Sequence, residues 1–161
     1  MTEIRQALET DFDGIWQILK EVFRQGDTYP HSPRTSREEA FKYWMVTPTA
    51  TYVAVDKGEL VGTYYLRPNQ PDLGSHVCNA GYMVSSRARN RGIGTAMGRH
   101  SIAEARRLGF KAMQFNLVVA TNEPSIRLWK KLGFDVVGTL PKAFNHKDLG
   151  LVDAFVMYRM L

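Results

Sequence analysis

Three arginines and two glycines crowd into eight residues of the chain, Arg87-Ala88-Arg89-Asn90-Arg91-Gly92-Ile93-Gly94. Before them lies a strand-like apolar run, Ala80 to Val84. After them comes a helical pattern in which Ile93, Met97, Ser101, Ala105 and Leu108 fall on one face. A turn of this kind is suited to hold phosphate. Glycines let backbone N–H groups approach an anion closely, because no Cβ intervenes. The first N–H groups of a helix have no partner inside it, and the helix dipole adds partial positive charge at the same place. The full charges of Arg87, Arg89 and Arg91 surround that point, so a ligand carrying two or more phosphates is the natural occupant.

Gly92, Gly94 and Gly98 come close to a dinucleotide-binding fingerprint. That reading needs a carboxylate about 20 residues on, at the end of the next strand, to take the ribose. The next strand, Ala112 to Val119, is followed by Ala120-Thr121-Asn122 and offers none. The run Arg89-Asn90-Arg91-Gly92-Ile93-Gly94, an R-x-x-G-x-G pattern, resembles instead the acetyl-CoA loop of the GCN5-related N-acetyltransferases. Asn122-Glu123-Pro124-Ser125-Ile126-Arg127-Leu128-Trp129-Lys130-Lys131-Leu132-Gly133-Phe134 is similar to that family's N-x-x-[AS]-x-x-[LF]-[YW]-x-x-x-G-F segment. The two motifs stand in the family's order, and the chain length fits the family from end to end.

The resemblance implies an α/β fold: a mixed, mostly antiparallel central sheet, flanked by helices and splayed at the acetyl-CoA site. It implies acetyl-CoA as co-substrate, no metal, and direct attack of an acceptor amine on the thioester in a ternary complex. Implied coenzyme contacts are Met83, Val84, Arg89, Asn90, Arg91, Gly92, Ile93, Gly94, Thr95, Asn122, Ser125 and Trp129. A strand N–H left free near Met83 or Val84 would polarise the thioester carbonyl, an oxyanion-hole role.

The amine must also lose a proton. Many members of the family use a carboxylate on the central strand for this, and a tyrosine at the position of Trp129 to protonate the leaving thiolate. Here the strand offers His76, Cys78, Asn79 and Tyr82, and an indole N–H does not titrate. Trp129 is therefore expected to pack beside the pantetheine arm, and His76 and His146 remain as candidate acid–base residues.

A closer resemblance is to the proline-analogue acetyltransferases, which act on azetidine-2-carboxylate and similar cyclic secondary amines. It rests on Phe115-Asn116-Leu117-Val118, Ala120-Thr121-Asn122, Leu128 to Leu132 and Gly150-Leu151-Val152-Asp153-Ala154. It implies that Asn79 holds the substrate nitrogen and that Asn116 helps to hold the substrate. Tyr29, in the turn-rich loop Gly26 to Pro33 with Asp27 and His31, is a further substrate-facing candidate. Members of the family often dimerise, which makes a homodimer an expectation. The absent carboxylate and tyrosine leave open a non-catalytic acyl-CoA-binding or sensing module, and a protein N-acetyltransferase is a second alternative.

A length of 161 residues suits a single domain, 1–161, with a full core, and 44% hydrophobic with 23% charged residues is ordinary for a globular protein. No apolar run reaches the ~20 residues of a membrane span, and the N-terminus lacks the pattern of a secretory signal. The lone Cys78 excludes an intrachain disulfide and suits a reducing cytoplasm, as a small core residue. A net charge of +5 admits nucleic acid as a partner, yet six of the 21 basic residues lie between Arg87 and Arg107, beside the phosphate turn. A nucleotide-bearing coenzyme accounts for that clustering without nucleic acid.

These residues must be positioned by the elements around them. Ile4 to Leu8 reads as a strand, and Asp11 or Asp13 as the cap of a helix running to Gln25. Ser36-Arg37-Glu38-Glu39 is a capping box opening a helix to Val46. Thr51 to Val55 and Leu60 to Leu66 form a hairpin, His76 to Val84 is the central strand, and Ile93 to Leu108 is a helix. Ala112 to Val119 is a buried strand, and Asn122 or Thr121 caps a helix that stops at Gly133. Phe134 to Leu140 is a strand, a loop carries Phe144, Asn145 and His146, and Val152 to Met160 is the last strand. The order β-α-α-β-β-β-α-β-α-β-β argues an α/β protein with a mixed sheet.

Overall fold

The computed structural model describes residues 1–161 and gives the elements in the expected order. They are β1 (Thr2–Gln6), α1 (Phe12–Gln25), α2 (Arg37–Phe41, continued by a π-helical turn Lys42–Val46), β2 (Ala50–Asp56), β3 (Glu59–Pro68) and β4 (Val77–Val84). Then follow α3 (Ile93–Arg107), β5 (Ala112–Val119), α4 (Glu123–Lys131), β6 (Asp135–His146) and β7 (Gly150–Met160). The strands form one seven-stranded sheet in the order β1-β2-β3-β4-β5-β7-β6. Every neighbouring pair is antiparallel except β4–β5.

Side chains alternate across the sheet and feed two cores. On one face Val53, Tyr65 and Met83 meet Phe12, Ile15, Leu19 and Phe23 of α1 and Trp44 beyond α2. On the other, Cys78, Ala80, Met113 and Phe115 meet Met97, Ile102 and Ala105 of α3 and Trp129 of α4. Leu108, expected on the core face of α3, lies one residue beyond the helix and is 36% exposed. Cys78 is fully buried, and that burial pushes its thiol up to about 12. It is a packing residue, as expected, and not a nucleophile.

The parallel pair β4–β5 is short. Val77, Cys78 and Asn79 face Ala112, Met113 and Gln114, and the ladder ends there. From Ala80 to Val84, and from Phe115 to Val119, the two strands have no partner in each other, so a gap opens in mid-sheet. The register of β5 against β7 shifts between Phe115 and Val118, which takes Asn116 and Leu117 out of the ladder.

Three local expectations are corrected. The loop expected at Phe144, Asn145 and His146 is the end of β6. This is an edge strand paired on one side only and mostly exposed, so it lacks the apolar alternation that marks a strand. Irregularities between Val136 and Gly138 and between Leu140 and Phe144 let it bend around Pro141. Asp11 occupies the N-cap position of α1 without capping it. Its carboxylate turns back to accept from Leu8 N–H at 2.7 Å and from Arg5 at 2.8 and 2.9 Å. Asn122 stands at the N-cap of α4, again with no side-chain cap bond. Ser36 does cap α2, accepting from Glu39 N–H at 3.1 Å.

Candidate active site

The gap between β4 and β5 opens into a groove of about 690 Å³. Its walls come from the α1–α2 loop, β3, β4, the turn before α3, β5 and the start of α4. Of the residues expected at the site, Tyr29, Asn79, Met83, Val84, Arg89, Asn90, Gly92, Ile93, Gly94, Thr95, Asn116, Asn122, Ser125 and Trp129 all line it. Arg91 does not. Its guanidinium turns to the carboxylate of Asp56, on β2, which is buried and needs a counter-charge. Sequence proximity to the turn put Arg91 among the phosphate contacts, but the β2–β3 hairpin claims it.

The phosphate turn has the form its glycines suggest. Gly92 is the N-cap of α3 with φ of 75°, a left-handed conformation, and Asn90 shares that region at 61°. The first helical bond of α3 is from Ala96 N–H to Gly92 carbonyl at 3.0 Å. The N–H groups of Ile93, Gly94 and Thr95 therefore precede any intrahelical bond and face the groove unpaired. Arg89 lies beside them, held by a 3.1 Å bond to Gln25 of α1. At Gly94, a side chain would meet only Leu128, at 3.4 Å. The space in front of these amides suits a pyrophosphate by both shape and charge.

The strand edge supplies a second row of backbone groups. Ser85 N–H bonds Val61 carbonyl at 2.8 Å, so odd-numbered residues of β4 address β3 and even-numbered ones address the gap. Val84 N–H thus points into the groove, whereas the N–H of Met83 belongs to the β3 ladder. Tyr82 faces the gap too, but its N–H donates to the Tyr29 hydroxyl at 2.7 Å, and that hydroxyl donates to Tyr82 carbonyl at 2.9 Å. Tyr29 was expected to face the substrate. Its ring does line the groove, yet its hydroxyl acts as a surrogate strand partner for β4. Burial, and secondly Tyr43, pushes that phenol well above the ordinary tyrosine range, so it is no base near neutrality.

Asn79 sits at the last rung before the splay and is buried. Its Nδ2 donates to Gln114 carbonyl at 3.0 Å, and its Oδ1 accepts from Tyr65 hydroxyl at 3.2 Å. Asn116, expected as a buried partner, is exposed on the bulge of β5. Its Nδ2 donates to Asn69 Oδ1 at 2.7 Å and its Oδ1 accepts from Gln114 Nε2 at 2.9 Å. His76 and His146 lie outside the groove. His76 is exposed ahead of β4, and His146 Nδ1 accepts from Asp148 and Leu149 N–H groups in the β6–β7 turn. Arg67, Tyr43 and Tyr65 line the groove and were missed. Arg67 and Tyr65 reach the groove because β3 lies beside β4, and Tyr43 because the turn after α2 packs on that face; both placements require the sheet order. No group of His, Cys, Asp and Glu residues able to hold a metal is present.

A splayed sheet, an unpaired strand edge and an unpaired helix N-terminus facing one groove define an acyl-coenzyme A transferase. The Acetyltransferase (GNAT) family model matches residues 12–134. The chain belongs to that family and is an N-acetyltransferase, with acetyl-CoA as its acetyl donor. It is 38% identical over 148 residues to N-acetyltransferase aca1 of Schizosaccharomyces pombe, covering 81% of this chain and 71% of that protein. It is 34% identical over 160 residues to the L-amino acid N-acetyltransferase AaaT of Escherichia coli, covering 98% and 96%. A GCN5-related N-acetyltransferase structure from Kribbella flavida superposes with a TM-score of 0.94 at 41% identity, covering 99% of this chain and 98% of that one. No helix is long and apolar enough to cross a membrane.

The phosphate assignment has a direct check. Charge-assisted contacts of this kind contribute ~1.5–3 kcal/mol each. Arg89→Ala is expected to weaken acetyl-CoA binding at least tenfold in calorimetry, with the melting temperature nearly unchanged because the side chain is exposed. Unchanged affinity in both Arg89→Ala and Gly94→Val would remove the turn from the coenzyme site.

Proposed function

We propose that the chain, acting as one catalytic unit over residues 1–161, acetylates the amine of a small amino or cyclic imino acid by direct attack in a ternary complex. The observation that carries this reading is the unpaired edge of β4, ending at Val84, running to the open N-terminus of α3 within a groove that also holds Asn79. The N–H groups of Ile93, Gly94 and Thr95, with Arg89, hold the phosphates. Asn122 and Ser125 at the start of α4 and the ring of Trp129 flank the pantetheine arm, which pairs with the free backbone groups of β4 beyond Tyr82.

Val84 N–H donates to the thioester carbonyl oxygen and stabilises the charge that grows there during attack. Asn79 Oδ1 has a second lone pair beside the one given to Tyr65, and it accepts from the amine N–H, which aims the nitrogen lone pair at the carbonyl carbon. The C–N bond forms as the C–S bond breaks. The amine proton leaves to solvent or to the loop of Tyr29, whose Asp27 carboxylate lines the groove, and the coenzyme thiolate takes a proton from solvent. Asn116 keeps one amide hydrogen for the acceptor. The relative named for L-amino acids supports an amino-acid acceptor. Pairing of two copies belongs to the same reading, and sedimentation would read it. The free thiol of Cys78 suits a cytoplasmic setting.

The test is thiol release from acetyl-CoA against L-amino acids, azetidine-2-carboxylate and polyamines, repeated with Asn79→Ala and Asn79→Asp. Loss of kcat with acetyl-CoA affinity kept is the expected result. Wild-type kcat in both variants would make Asn79 a structural residue, and no thiol release with any amine would leave a sensing module.

A further inference from the structure

The groove carries one feature that coenzyme binding does not use. Its lining holds two cationic side chains, Arg67 and Arg89, and one carboxylate, Asp27. Arg89 follows the C-terminal end of β4, beside the open amides of α3. Arg67 is on β3, directly opposite Asn79 of β4. The five-residue step from Asn79 to Val84 spans roughly 17 Å at ~3.3 Å per residue. Arg67 therefore stands at the far end of the groove from the phosphates, next to the rung where β4 and β5 part.

Its surroundings point to a ligand. Arg67 is half-buried, with its guanidinium carbon 5.4 Å from the Tyr43 ring centre and 5.6 Å from that of Tyr65. Its guanidinium makes no ion pair and no hydrogen bond to the protein, in contrast to Arg89 on Gln25 and Arg91 on Asp56. Stacking on two rings orients a guanidinium and strips water from its faces, while its five in-plane donors stay free. The rings are themselves fixed. Tyr43 and Tyr65 hydroxyls lie 3.2 Å apart, and Tyr65 donates to Asn79 Oδ1 at 3.2 Å. His31 packs edge-on against Tyr43 at 4.2 Å. Burial, and secondly the charge of Arg67, holds its imidazole toward the neutral form, so it adds no competing cation.

We propose that Arg67 is the specificity residue that binds the carboxylate of the acceptor, in a bidentate pair at the Tyr43–Tyr65 platform. The inference rests on the amino-acid reading above and adds the group that enforces it. Directly opposed residues of a hydrogen-bonded antiparallel pair have Cα atoms about 5.5 Å apart. Arg67 and Asn79 are so opposed, and in an α-amino or α-imino acid the carboxylate and the nitrogen sit on the same carbon. One side chain thus takes the acid and its neighbour takes the nitrogen. An amine without a carboxylate leaves this guanidinium unpaired and is disfavoured.

The experiment compares L-amino acids and azetidine-2-carboxylate with their carboxamides, in the wild type, Arg67→Gln and Arg67→Lys. Each variant is read as its kcat/KM relative to wild type on the acid and on the amide, so that the different amine basicity of the two substrates cancels. Arg67→Gln is expected to lose about 10- to 100-fold on the acid, through KM, and much less on the amide. Arg67→Lys, which keeps the charge but not the fork, falls between. Acetyl-CoA affinity and melting temperature serve as controls for folding. An equal loss on acid and amide, or no loss on the acid, overturns the anchor while leaving the amino-acid reading standing. A wild type that acetylates only amines without a carboxylate overturns both.

Discussion

Trp129→Ala is expected to lower stability by about 3–5 kcal/mol, the usual cost of removing a core tryptophan. For a chain of this size that is a fall of roughly 6–20 °C in melting temperature. The indole is only 7% exposed, and its ring centre lies 4.6 Å from those of Tyr82 and Phe115 and 5.8 Å from that of Phe134. It also packs under α3, where a Cβ on Gly98 would stand 3.1 Å from Cζ3. One wall of this ring faces the groove, so acetyl-CoA affinity should fall together with stability. Trp129→Phe keeps most of the contact area and should keep most of the turnover. The indole N–H makes no hydrogen bond within the protein, which fits a packing role. Denaturation curves and calorimetry measure both effects. Abolished chemistry in Trp129→Phe with coenzyme affinity intact would show that the N–H acts in the reaction.

Gly81→Val should damage the acceptor side of the groove more than the coenzyme side. A Cβ at Gly81 would lie 2.6 Å from Cε2 of Tyr65, 3.0 Å from its Cζ, and 3.1 Å from the Tyr29 hydroxyl. Tyr65 is a buried ring held edge-to-face between Trp44 and Tyr43, with little room to give. Overpacking of this kind costs about 1–3 kcal/mol. The displacement reaches Asn79 and Arg67 through the Tyr65 ring, and Tyr82 N–H through Tyr29. Acceptor KM should rise and kcat fall severalfold or more, while acetyl-CoA binding changes less, because Arg89 and the open amides of α3 lie beyond Val84. Gly81→Ala should show the same pattern with smaller size. Wild-type kinetics in the valine variant would place the acceptor elsewhere.

The sequence by itself determined most of the elements and the turn proposed here for the coenzyme phosphates. Ser36 capping α2, Gly92 opening α3, and Gly26, Gly109 and Gly133 ending helices in left-handed turns are local events, set by a few consecutive residues. The phosphate turn is equally local: a strand end, a glycine turn and the first amides of a helix follow one another along the chain. The acceptor half joins residues far apart in sequence, and only the tertiary structure decided it. Tyr29 bonds Tyr82 across 53 residues, Arg91 meets Asp56 across 35, and Asn116 meets Asn69 across 47. None of these partners is implied by spacing. Strand register sets Arg67 opposite Asn79, and a one-residue slip would send their side chains to opposite faces. Asn116 belongs to a strand expected to be buried, yet it is exposed, on the face of Gln114, where β5 leaves its ladder with β7. Backbone propensity acts over a turn or two of chain. The charge of a pocket is decided by which strands lie side by side, and that is settled only when the whole sheet has formed.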